Sequence, residues 1–253
     1  MTIHSRSPLI RCLSSTLNNT LLSLHRPQRI LKFVKGVFRY PLQHEATKAH
    51  ESVPAITFAA MFPEFTSSQI VLQREQVNRH GWNVKLHEEI LLGEIVRAMN
   101  AKRIFEIGTF DGGTTRRLAE SASEDAIVYT LDLPEDQFDA TQGPTAFNGS
   151  RVGEKYRGSN AVSRIKQIRA NSSTFDFGPF AAQMDFVFVD AAHDYPNGLA
   201  DSTNALKIVK PGGIIVWHDF EPYWSGLVHA ICEATTGLPL RRLAGTSMAV
   251  LQA

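Results

Sequence analysis

The chain has 253 residues and an ordinary globular composition, 43% hydrophobic and 20% charged, so it can hold one α/β domain with an N-terminal extension. Residues 1–44 contain seven of the 26 basic residues and none of the 25 acidic ones, which leaves a net charge of −6 on the remainder and disfavours an RNA or DNA substrate. The two cysteines, Cys12 and Cys232, lie far apart, which argues against a disulfide framework or a cysteine metal cluster and indicates a reducing compartment such as the cytoplasm.

The first 80 residues form an arm and connector ahead of a predicted domain at 81–253. Residues 28–40 repeat apolar side chains at helical spacing and place basic side chains on the opposite face, at Arg29, Lys32, Lys35 and Arg39. Three interpretations stay open for this basic amphipathic helix: packing on the domain or on a second copy in a homodimer, contact with an anionic membrane surface, or a transit peptide. No apolar run approaches the roughly 18 residues of a transmembrane helix. Residues 41–70 contain three prolines and are typical of a connector with short turns.

Residues 81–253 alternate strand patterns with helix patterns. The predicted strands are residues 102–108, 126–132, 164–170, 185–190, 214–217, 239–243 and 247–252. The predicted helices are residues 84–99, 113–122, 197–209 and 222–236. This alternation predicts an α/β fold with a doubly wound, mostly parallel sheet of seven strands and helices on both faces. A long insertion at 134–160 follows the second strand, and insertions of this length are usually functional or disordered.

The most informative stretch is residues 104–114, which read Ile-Phe-Glu-Ile-Gly-Thr-Phe-Asp-Gly-Gly-Thr. It predicts a strand, a glycine turn and a helix start, the layout that brings a nucleotide-like ligand against backbone amides. The glycines of the turn allow positive φ and leave no Cβ to block the ligand. Phe110 stands where a dinucleotide fingerprint needs its second glycine, and the carboxylate of Asp111 would repel a pyrophosphate. The turn therefore favours a ligand with a cationic end and disfavours an NAD-dependent oxidoreductase.

A second acid follows at the expected distance. The apolar run 126–131 ends in Asp132, and doubly wound folds place an acid about 20 residues after the glycine turn to bind ribose hydroxyls. The alternative is that Asp132 only caps the loop before Pro134. Its position in register with Glu106 and Asp111 favours the binding role.

The glycine turn resembles motif I of the class I S-adenosylmethionine (SAM)-dependent methyltransferases. Three later segments resemble further motifs of that family in the same order: residues 171–177 the adenine segment, 185–195 the fourth motif and 209–219 the fifth. Together they resemble the subgroup of small-molecule and sugar O-methyltransferases that includes the macrocin and cephalosporin-hydroxylase-like proteins (methyltransferase family 24 type). They are similar, more distantly, to catechol- and caffeoyl-CoA-type O-methyltransferases. The resemblance covers residues 84–253.

The resemblance implies SAM as the cofactor and the strand order 3-2-1-4-5-7-6. It also implies a set of cofactor-binding residues, which are Glu106, Gly108, Thr109, Phe110, Asp111, Gly112, Thr114, Asp132, Leu133, Ser172, Ser173, Asp190 and Ala191.

Transfer of a methyl group to oxygen requires that the hydroxyl lose its proton, to a base or with the help of a metal ion. The candidates at the ends of the fourth and fifth strands are Asp190, His193, His218 and Asp219. In metal-dependent relatives, acids at these strand ends bind a divalent cation such as Mg²⁺, and Asp190 and Asp219 match those places. The chain departs from that pattern because His218 precedes Asp219, so His193 or His218 is predicted to act as the base, with Asp190 as an orienting acid. Each histidine could instead be structural.

The leading functional hypothesis is a SAM-dependent methyltransferase acting on a hydroxyl of a small molecule or sugar. The alternatives are a methyltransferase acting on nitrogen or on a macromolecule, and a SAM-binding module without catalysis. We expect a cytoplasmic protein, peripheral to a membrane if residues 28–40 bind one. The acceptor pocket is expected to use the 134–160 insertion, the N-terminal region and residues 220–230.

Overall fold

The computed structural model describes residues 41–66, 82–137 and 151–253. The chain splits into two compact units, residues 1–45 and residues 46–253, and apart from residues 41–45 the features below lie in the second. The amphipathic helix predicted at 28–40 lies outside the described residues, so its interpretations stay predictions. Within the described ranges, no helix is long and apolar enough to cross a bilayer.

The strands are β1 (Ala55–Ile56), β2 (Arg103–Ile107), β3 (Ile127–Asp132), β4 (Ile165–Arg169), β5 (Met184–Val189), β6 (Val209–Trp217), β7 (Arg241–Leu243) and β8 (Ala249–Gln252). The helices are α1 (41–52), α2 (Phe58–Met61), α3 (Leu86–Ala98), α4 (Gly113–Ser121), α5 (Tyr195–Ile208) and α6 (Ser225–Ala234). Single 3₁₀ turns lie at Glu135–Gln137, Val162–Arg164, Gly178–Phe180 and Pro222–Trp224.

All eight strands form one sheet in the order β1-β7-β8-β6-β5-β2-β3-β4. Every pairing is parallel except those that β8 makes with β6 and β7. The doubly wound α/β class is confirmed, and the seven predicted strands keep their predicted order. The predicted count is wrong by one, because β1 adds an edge strand beside β7. Two residues are too few to show a strand period in the sequence, and only the pairing with β7 makes them a strand.

The two faces of the sheet carry separate cores because side chains alternate along each strand. On one face, Phe105 and Val187 pack with residues of α5 and α6 such as Ile208 and Ile231. On the other face, the neighbouring strand positions pack with residues of α3 and α4, in a cluster that includes Ile104, Phe186, Phe188, Leu92, Ile95 and Leu118. The fully apolar run of β5 is explained by this burial on both sides.

The segment that the sequence presents as a connector contains regular structure. Residues 41–52 are helical, and Ala46 and Val53 are buried in the core of the second unit. Backbone bonds from Arg242 N–H to the carbonyl of Pro54, and from Ala244 N–H to that of Ile56, hold β1 on the sheet. The contacts thus divide the chain after Glu45, whereas the sequence suggests a boundary after residue 80, in a stretch (67–81) that lies outside the described residues.

The insertion between β3 and β4 packs on the glycine turn where it is described. Its residues 138–150 lie outside the described ranges, and residues 151–161 form turns in which Val152 and Tyr156 are buried. The N–H of Gly153 donates to the carbonyl of Phe110 at 2.9 Å, and the N–H of Lys155 to that of Asp111 at 2.8 Å. This part of the insertion therefore packs directly against the glycine turn and is hydrogen-bonded to it.

Glu106 lies inside the protein beneath the glycine turn. Its Oε2 accepts hydrogen bonds from the hydroxyls of Thr130, at 2.6 Å, and Thr115, while Oε1 has no partner among the described residues. Complete burial raises the pKa of this carboxyl to about 8, against the opposing effect of the two hydroxyls. Glu106 is thus a neutral acid at pH 7 that joins β2, β3 and α4.

Two glycines of the turn make room for the protein's own chain. Gly108 has φ +100°, and a Cβ there would lie 2.0 Å from the carbonyl oxygen of Asp190 at the end of β5. Gly112 has φ +81°, and its Cβ would meet the ring of Tyr156 at 2.6 Å and Gly153 at 2.8 Å. The expectation that these positions stay small for a ligand is therefore corrected: neighbouring backbone and the insertion occupy that space.

Replacing Glu106 with Gln should change how stability depends on pH. Below pH 4.5 the carboxyl is protonated in both the folded and unfolded states, whereas between 4.5 and 8 only the folded state keeps the proton, so the free energy of unfolding falls as pH rises. Glutamine does not ionise. The free energy of unfolding of the variant, measured in urea, should therefore rise relative to that of the wild type by about 1 kcal/mol per pH unit between pH 5 and pH 8. The exposed Glu124→Gln is the control; a parallel pH profile for E106Q and wild type would contradict the assignment.

Gly108→Ala should destabilise the protein far more than Gly237→Ala. Both positions have positive φ, but a Cβ at Gly237 meets nothing within 4 Å. The Gly237 variant should lose about 1 kcal/mol from backbone strain alone. The Gly108 variant should lose at least about 3 kcal/mol, because a backbone carbonyl blocks the new methyl group. If both variants lose the same unfolding free energy in guanidinium, the close approach of Gly108 to the end of β5 does not contribute to stability.

Candidate active site

A cavity of about 370 Å³ opens at the carboxyl ends of β2, β3 and β5, within the usual size range of small-molecule sites. The predicted site residues that line it are Gly108, Thr109, Phe110, Asp111, Thr114, Asp132, Leu133, Ser172, Asp190, Ala191 and His193. The predicted residues outside its wall are Glu106, Gly112, Ser173, His218 and Asp219. The structure thus brings most of the predicted set to one cavity and places the rest beneath or behind it.

Asp132 holds the glycine turn and faces the cavity at the same time. Its Oδ2 accepts from the backbone N–H groups of Thr109, at 3.0 Å, and Phe110, at 2.8 Å, and its Oδ1 accepts from that of Leu133 at 2.8 Å. Phe110 has φ +50°, an unfavourable conformation that this carboxylate helps to maintain. Each carboxylate oxygen can accept more than one bond, so Asp132 can still receive a ribose hydroxyl.

Asp111 is buried, and its carboxylate is already bonded within the chain. Its Oδ1 accepts from the backbone N–H of Gly113 at 3.0 Å, and its Oδ2 accepts from Asn83 Nδ2 and from Lys155 Nζ, both at 2.8 Å. A lysine from the insertion therefore neutralises the acid that the sequence suggests for a cationic ligand. The repulsion of a pyrophosphate is weakened for the same reason.

The segment after β4 forms the other end of the cavity. Asn171 and Ser172 line the wall, whereas Ser173 turns away from it. The backbone N–H and the hydroxyl of Ser173 both donate to Asn171 Oδ1, at 3.0 Å and 2.7 Å, which makes a local turn of the kind that asparagine favours. Ser173 therefore shapes the segment and does not reach the cavity.

Sequence reasoning missed one wall of the cavity. Trp82, Asn83 and Val84 line it from the residues just before α3, and the Trp82 side chain is 56% exposed. These residues precede the glycine turn by more than twenty positions and follow no motif spacing. Lys155 was missed for a similar reason, although an acid in a ligand turn is itself a signal that a cation lies nearby.

His193 and Asp219 form a hydrogen-bonded pair at the cavity. The distance from His193 Nε2 to Asp219 Oδ2 is 2.8 Å. His193 precedes the start of α5, where Asp194 caps the helix by accepting from Asn197 N–H at 3.1 Å. Asp219 follows β6 with φ +53°, and this uncommon conformation places its carboxylate beside the imidazole. The ring of Trp224 lies 4.3 Å from that of His193.

His218 lies behind this pair, buried among three acids. Its Nε2 is 3.2 Å from Glu88 Oε2, and its Nδ1 is 3.3 Å from Asp190 Oδ1 and 3.6 Å from Asp219 Oδ2. Burial by itself would lower the pKa of His218, but the charge of Asp190 and the nearby carboxylates of Asp219 and Glu88 raise it to about 12. Burial would raise the pKa of Asp219. The neighbouring rings of His193 and His218 have the larger effect and lower it below its usual value.

Glu88 is a part of the site that the sequence gave no sign of. It lies in the first turn of α3 and is fully buried. Its Oε1 accepts from the backbone N–H and the hydroxyl of Ser247, at 2.6 Å and 2.8 Å. Although burial raises its pKa, the bonds from His218 and Ser247 lower it to about 2, so Glu88 is ionised. An acid on an amphipathic helix is ordinarily a surface residue, which is why its pattern predicts no role.

The residues at the strand ends do not fit an all-oxygen magnesium site. Asp190, His193 and Asp219 can each offer one atom within 4.8 Å of the others. One of the three is a nitrogen, whereas Mg²⁺ takes oxygen ligands in octahedral geometry. Asp219 Oδ2 is hydrogen-bonded to His193 and lies 3.6 Å from Nδ1 of His218. We therefore derive no step through a metal ion.

Comparison with known proteins gives a family match for part of the chain. Residues 105–220 match the family model Methyltransf_24, described as a methyltransferase domain. Caffeoyl-CoA O-methyltransferase 2 of Zea mays is 29% identical over 160 residues, 61% of this chain and 56% of that protein. Caffeoyl-CoA O-methyltransferase 2 of Petunia hybrida is 26% identical over 172 residues, 67% and 65% of the two chains. The chain thus spans less than two thirds of the length of these relatives.

Solved structures share the fold. The O-methyltransferase TomG from Streptomyces achromogenes, in complex with SAM, is 19% identical with a TM-score of 0.53, covering 84% of this chain and 89% of that one. The O-methyltransferase from Bacillus cereus, in complex with SAH, is 17% identical with a TM-score of 0.53, covering 84% and 91%. Residues 105–220 thus match a methyltransferase domain, and the described residues share the fold of these O-methyltransferases.

Proposed function

We propose that this protein transfers a methyl group from SAM to a hydroxyl group of a small molecule, with His193 as the general base. The observation that carries the proposal is that one cavity is lined by the motif I turn, by Asp132 and by His193, whose ring is hydrogen-bonded to Asp219. A cofactor site and a proton acceptor on one cavity are what methyl transfer to oxygen requires. The O-methyltransferases among the relatives agree with this reaction type.

The cavity residues fit SAM. When bound, SAM supplies a methyl group already activated by its sulfonium. Asp132, Asn171 and Ser172 line the cavity, which supports ribose binding by Asp132 and adenine binding by Asn171 and Ser172. At the turn, Asp111 lines the cavity with its charge paired to Lys155, and the zwitterionic methionine tail would meet this ion pair.

The pair His193–Asp219 sets the tautomer of the base. With Nε2–H donating to Asp219, the lone pair of the neutral imidazole is on Nδ1, which accepts the proton of the acceptor hydroxyl. Asp219 then stabilises the imidazolium that forms, as its lowered pKa keeps it ionised. Asp190 lies beside the pair and holds His218, and so acts as an orienting acid.

Oxygen is the favoured acceptor atom because of this base. A neutral amine can attack a sulfonium methyl group without losing a proton first, whereas an alcohol or phenol gains from a positioned base. The acidic balance of the chain after residue 44 argues against nucleic acid as the acceptor. These features favour a small-molecule hydroxyl, including that of a sugar, over a nitrogen or macromolecular acceptor and over a module without catalysis.

The proposals for residues 28–40 rest on the sequence alone. Their basic amphipathic pattern supports contact with an anionic membrane surface or with a second copy in a homodimer. A cytoplasmic location is proposed from the cysteine usage.

SAM binding should depend on Asp132. Calorimetry with wild-type protein should give saturable binding of SAM and of S-adenosylhomocysteine. Asp132→Asn should weaken binding at least about tenfold, because it loses a charge-assisted bond to the ribose and loosens the turn. Asp136→Asn, an exposed acid four residues away, should bind as the wild type does. No binding to folded wild-type protein would overturn the proposed function.

Turnover should depend on His193. An acceptor is first identified with methyl-labelled SAM and a panel of phenols, catechols and hydroxylated sugars. His193→Asn should then lower kcat by about 10² to 10⁴, the usual range for loss of a general base, with an unchanged Kd for SAM. Asp219→Asn should lower kcat in the same direction, and the exposed His87→Asn should leave it unchanged. An unchanged kcat in H193N would show that His193 is not the general base.

A further inference from the structure

Asp201 is a buried acid that the proposed reaction does not use. It lies in the middle of α5, and its side chain is enclosed by the protein, with the residue only 1% exposed. Neither of its carboxylate oxygens has a hydrogen-bond partner among the described residues. Burying a carboxylate without a partner is costly, so stability alone does not account for an acid at this position.

The helical spacing places Asp201 behind the wall of the cavity. Asn197, Asp201 and Asn204 follow one another at intervals of four and three residues along α5 and therefore share one face of the helix. Asn197 lines the cavity, and Asn204 Nδ2 donates to the carbonyl of Ser172 at 3.5 Å. Asp201 lies between these two contacts, on the side of the helix that faces the segment after β4.

The Ser172 hydroxyl is the donor that Asp201 can use. Burial raises the pKa of Asp201 to about 6, the nearby hydroxyl of Ser172 opposes that rise, and the charge of Asp194 adds to it. The carboxyl is therefore ionised at pH 8 and can only accept hydrogen bonds. Ser172 itself lines the cavity, so a bond between the two side chains would connect the buried acid to the ligand.

Of the two residues proposed to hold the adenine, Ser172 is the one whose side chain can still accept a hydrogen bond. Asn171 Oδ1 already accepts from the N–H and the hydroxyl of Ser173, at 3.0 Å and 2.7 Å, which uses both of its lone pairs. A hydroxyl has one proton and two lone pairs. If Ser172 donates its proton to Asp201, its oxygen presents only lone pairs to the cavity.

We propose that Asp201 is a positioning residue that makes the cofactor site select adenine over purines that carry an oxo group. When the cofactor is bound, the Asp201 carboxylate accepts a hydrogen bond from the Ser172 hydroxyl, and the Ser172 oxygen accepts one from the exocyclic amino group of the adenine. An oxo group in that place would bring two acceptors together. Asp201 does not line the cavity and acts through Ser172. This role rests on the proposed function, which places the adenine of SAM beside Ser172.

Calorimetry with two purine ligands tests this role without a methyl acceptor. At pH 8 the wild type should bind S-adenosylhomocysteine at least about tenfold more tightly than S-inosylhomocysteine, in which an oxygen replaces the amino group. Asp201→Leu leaves the Ser172 hydroxyl free to donate as well as accept, so this ratio of affinities should fall at least about fivefold. Thr203→Leu, at an exposed position of the same helix, should keep the wild-type ratio.

A double substitution separates this role from a general loosening of the wall. Ser172→Ala should lower the ratio as D201L does, and adding D201L to S172A should change it by less than about twofold, because the hydroxyl through which Asp201 acts is gone. If D201L does not fold, Asp201→Ala takes its place with the same expectations, since it removes the carboxylate without adding bulk.

A wild-type ratio near one would overturn this role, as would an unchanged ratio in the folded Asp201 variant. A further large fall in the double variant would also overturn it, because Asp201 would then act by a route other than Ser172. Each of these results leaves the proposed function standing. No binding of S-adenosylhomocysteine to the folded wild type would overturn the proposed function, and this role with it.

Discussion

The contact between Gly108 and the carbonyl of Asp190 is the constraint on which the rest of the site depends. It brings the ends of β2 and β5 so close that no side chain fits between them. The glycine turn follows one strand and His193 follows the other, so this approach sets the distance between the two halves of the proposed site. Asp132 then fastens the turn from β3, and the N–H of His218 fastens β6 to β5.

Around that contact, each acid of the site is neutralised in its own way. Asp111 pairs with Lys155, and Glu106 keeps its proton because it is completely buried. Asp190 and Asp219 share the charge of His218, which Glu88 holds from the opposite edge. Burying an unpaired carboxylate costs several kcal/mol, so these arrangements are a condition for packing acids so densely beside a cavity.

Sequence reasoning succeeded where the chemistry depends on neighbours along the chain. The position of Asp132 beside the glycine turn follows from its distance along the chain, and the strand ends that carry His193 and Asp219 follow from apolar runs bounded by polar residues. It failed where a partner comes from elsewhere. The charge of Asp111 was interpreted without Lys155, Glu106 was assigned to the cofactor without its burial, and Glu88 had no pattern that distinguished it from a surface acid.

The sequence by itself determined the α/β class and the edge of the sheet at which the cavity opens, because strand periods, turn glycines and motif spacing are local properties, and its resemblance to a known family implied the order of the seven strands. Only the tertiary structure decided the protonation and pairing of the acids, the closing of the turn by residues 151–156 and the edge strand β1. Burial, Coulomb interactions and strand pairing join residues far apart in the chain, and no spacing within one segment encodes them.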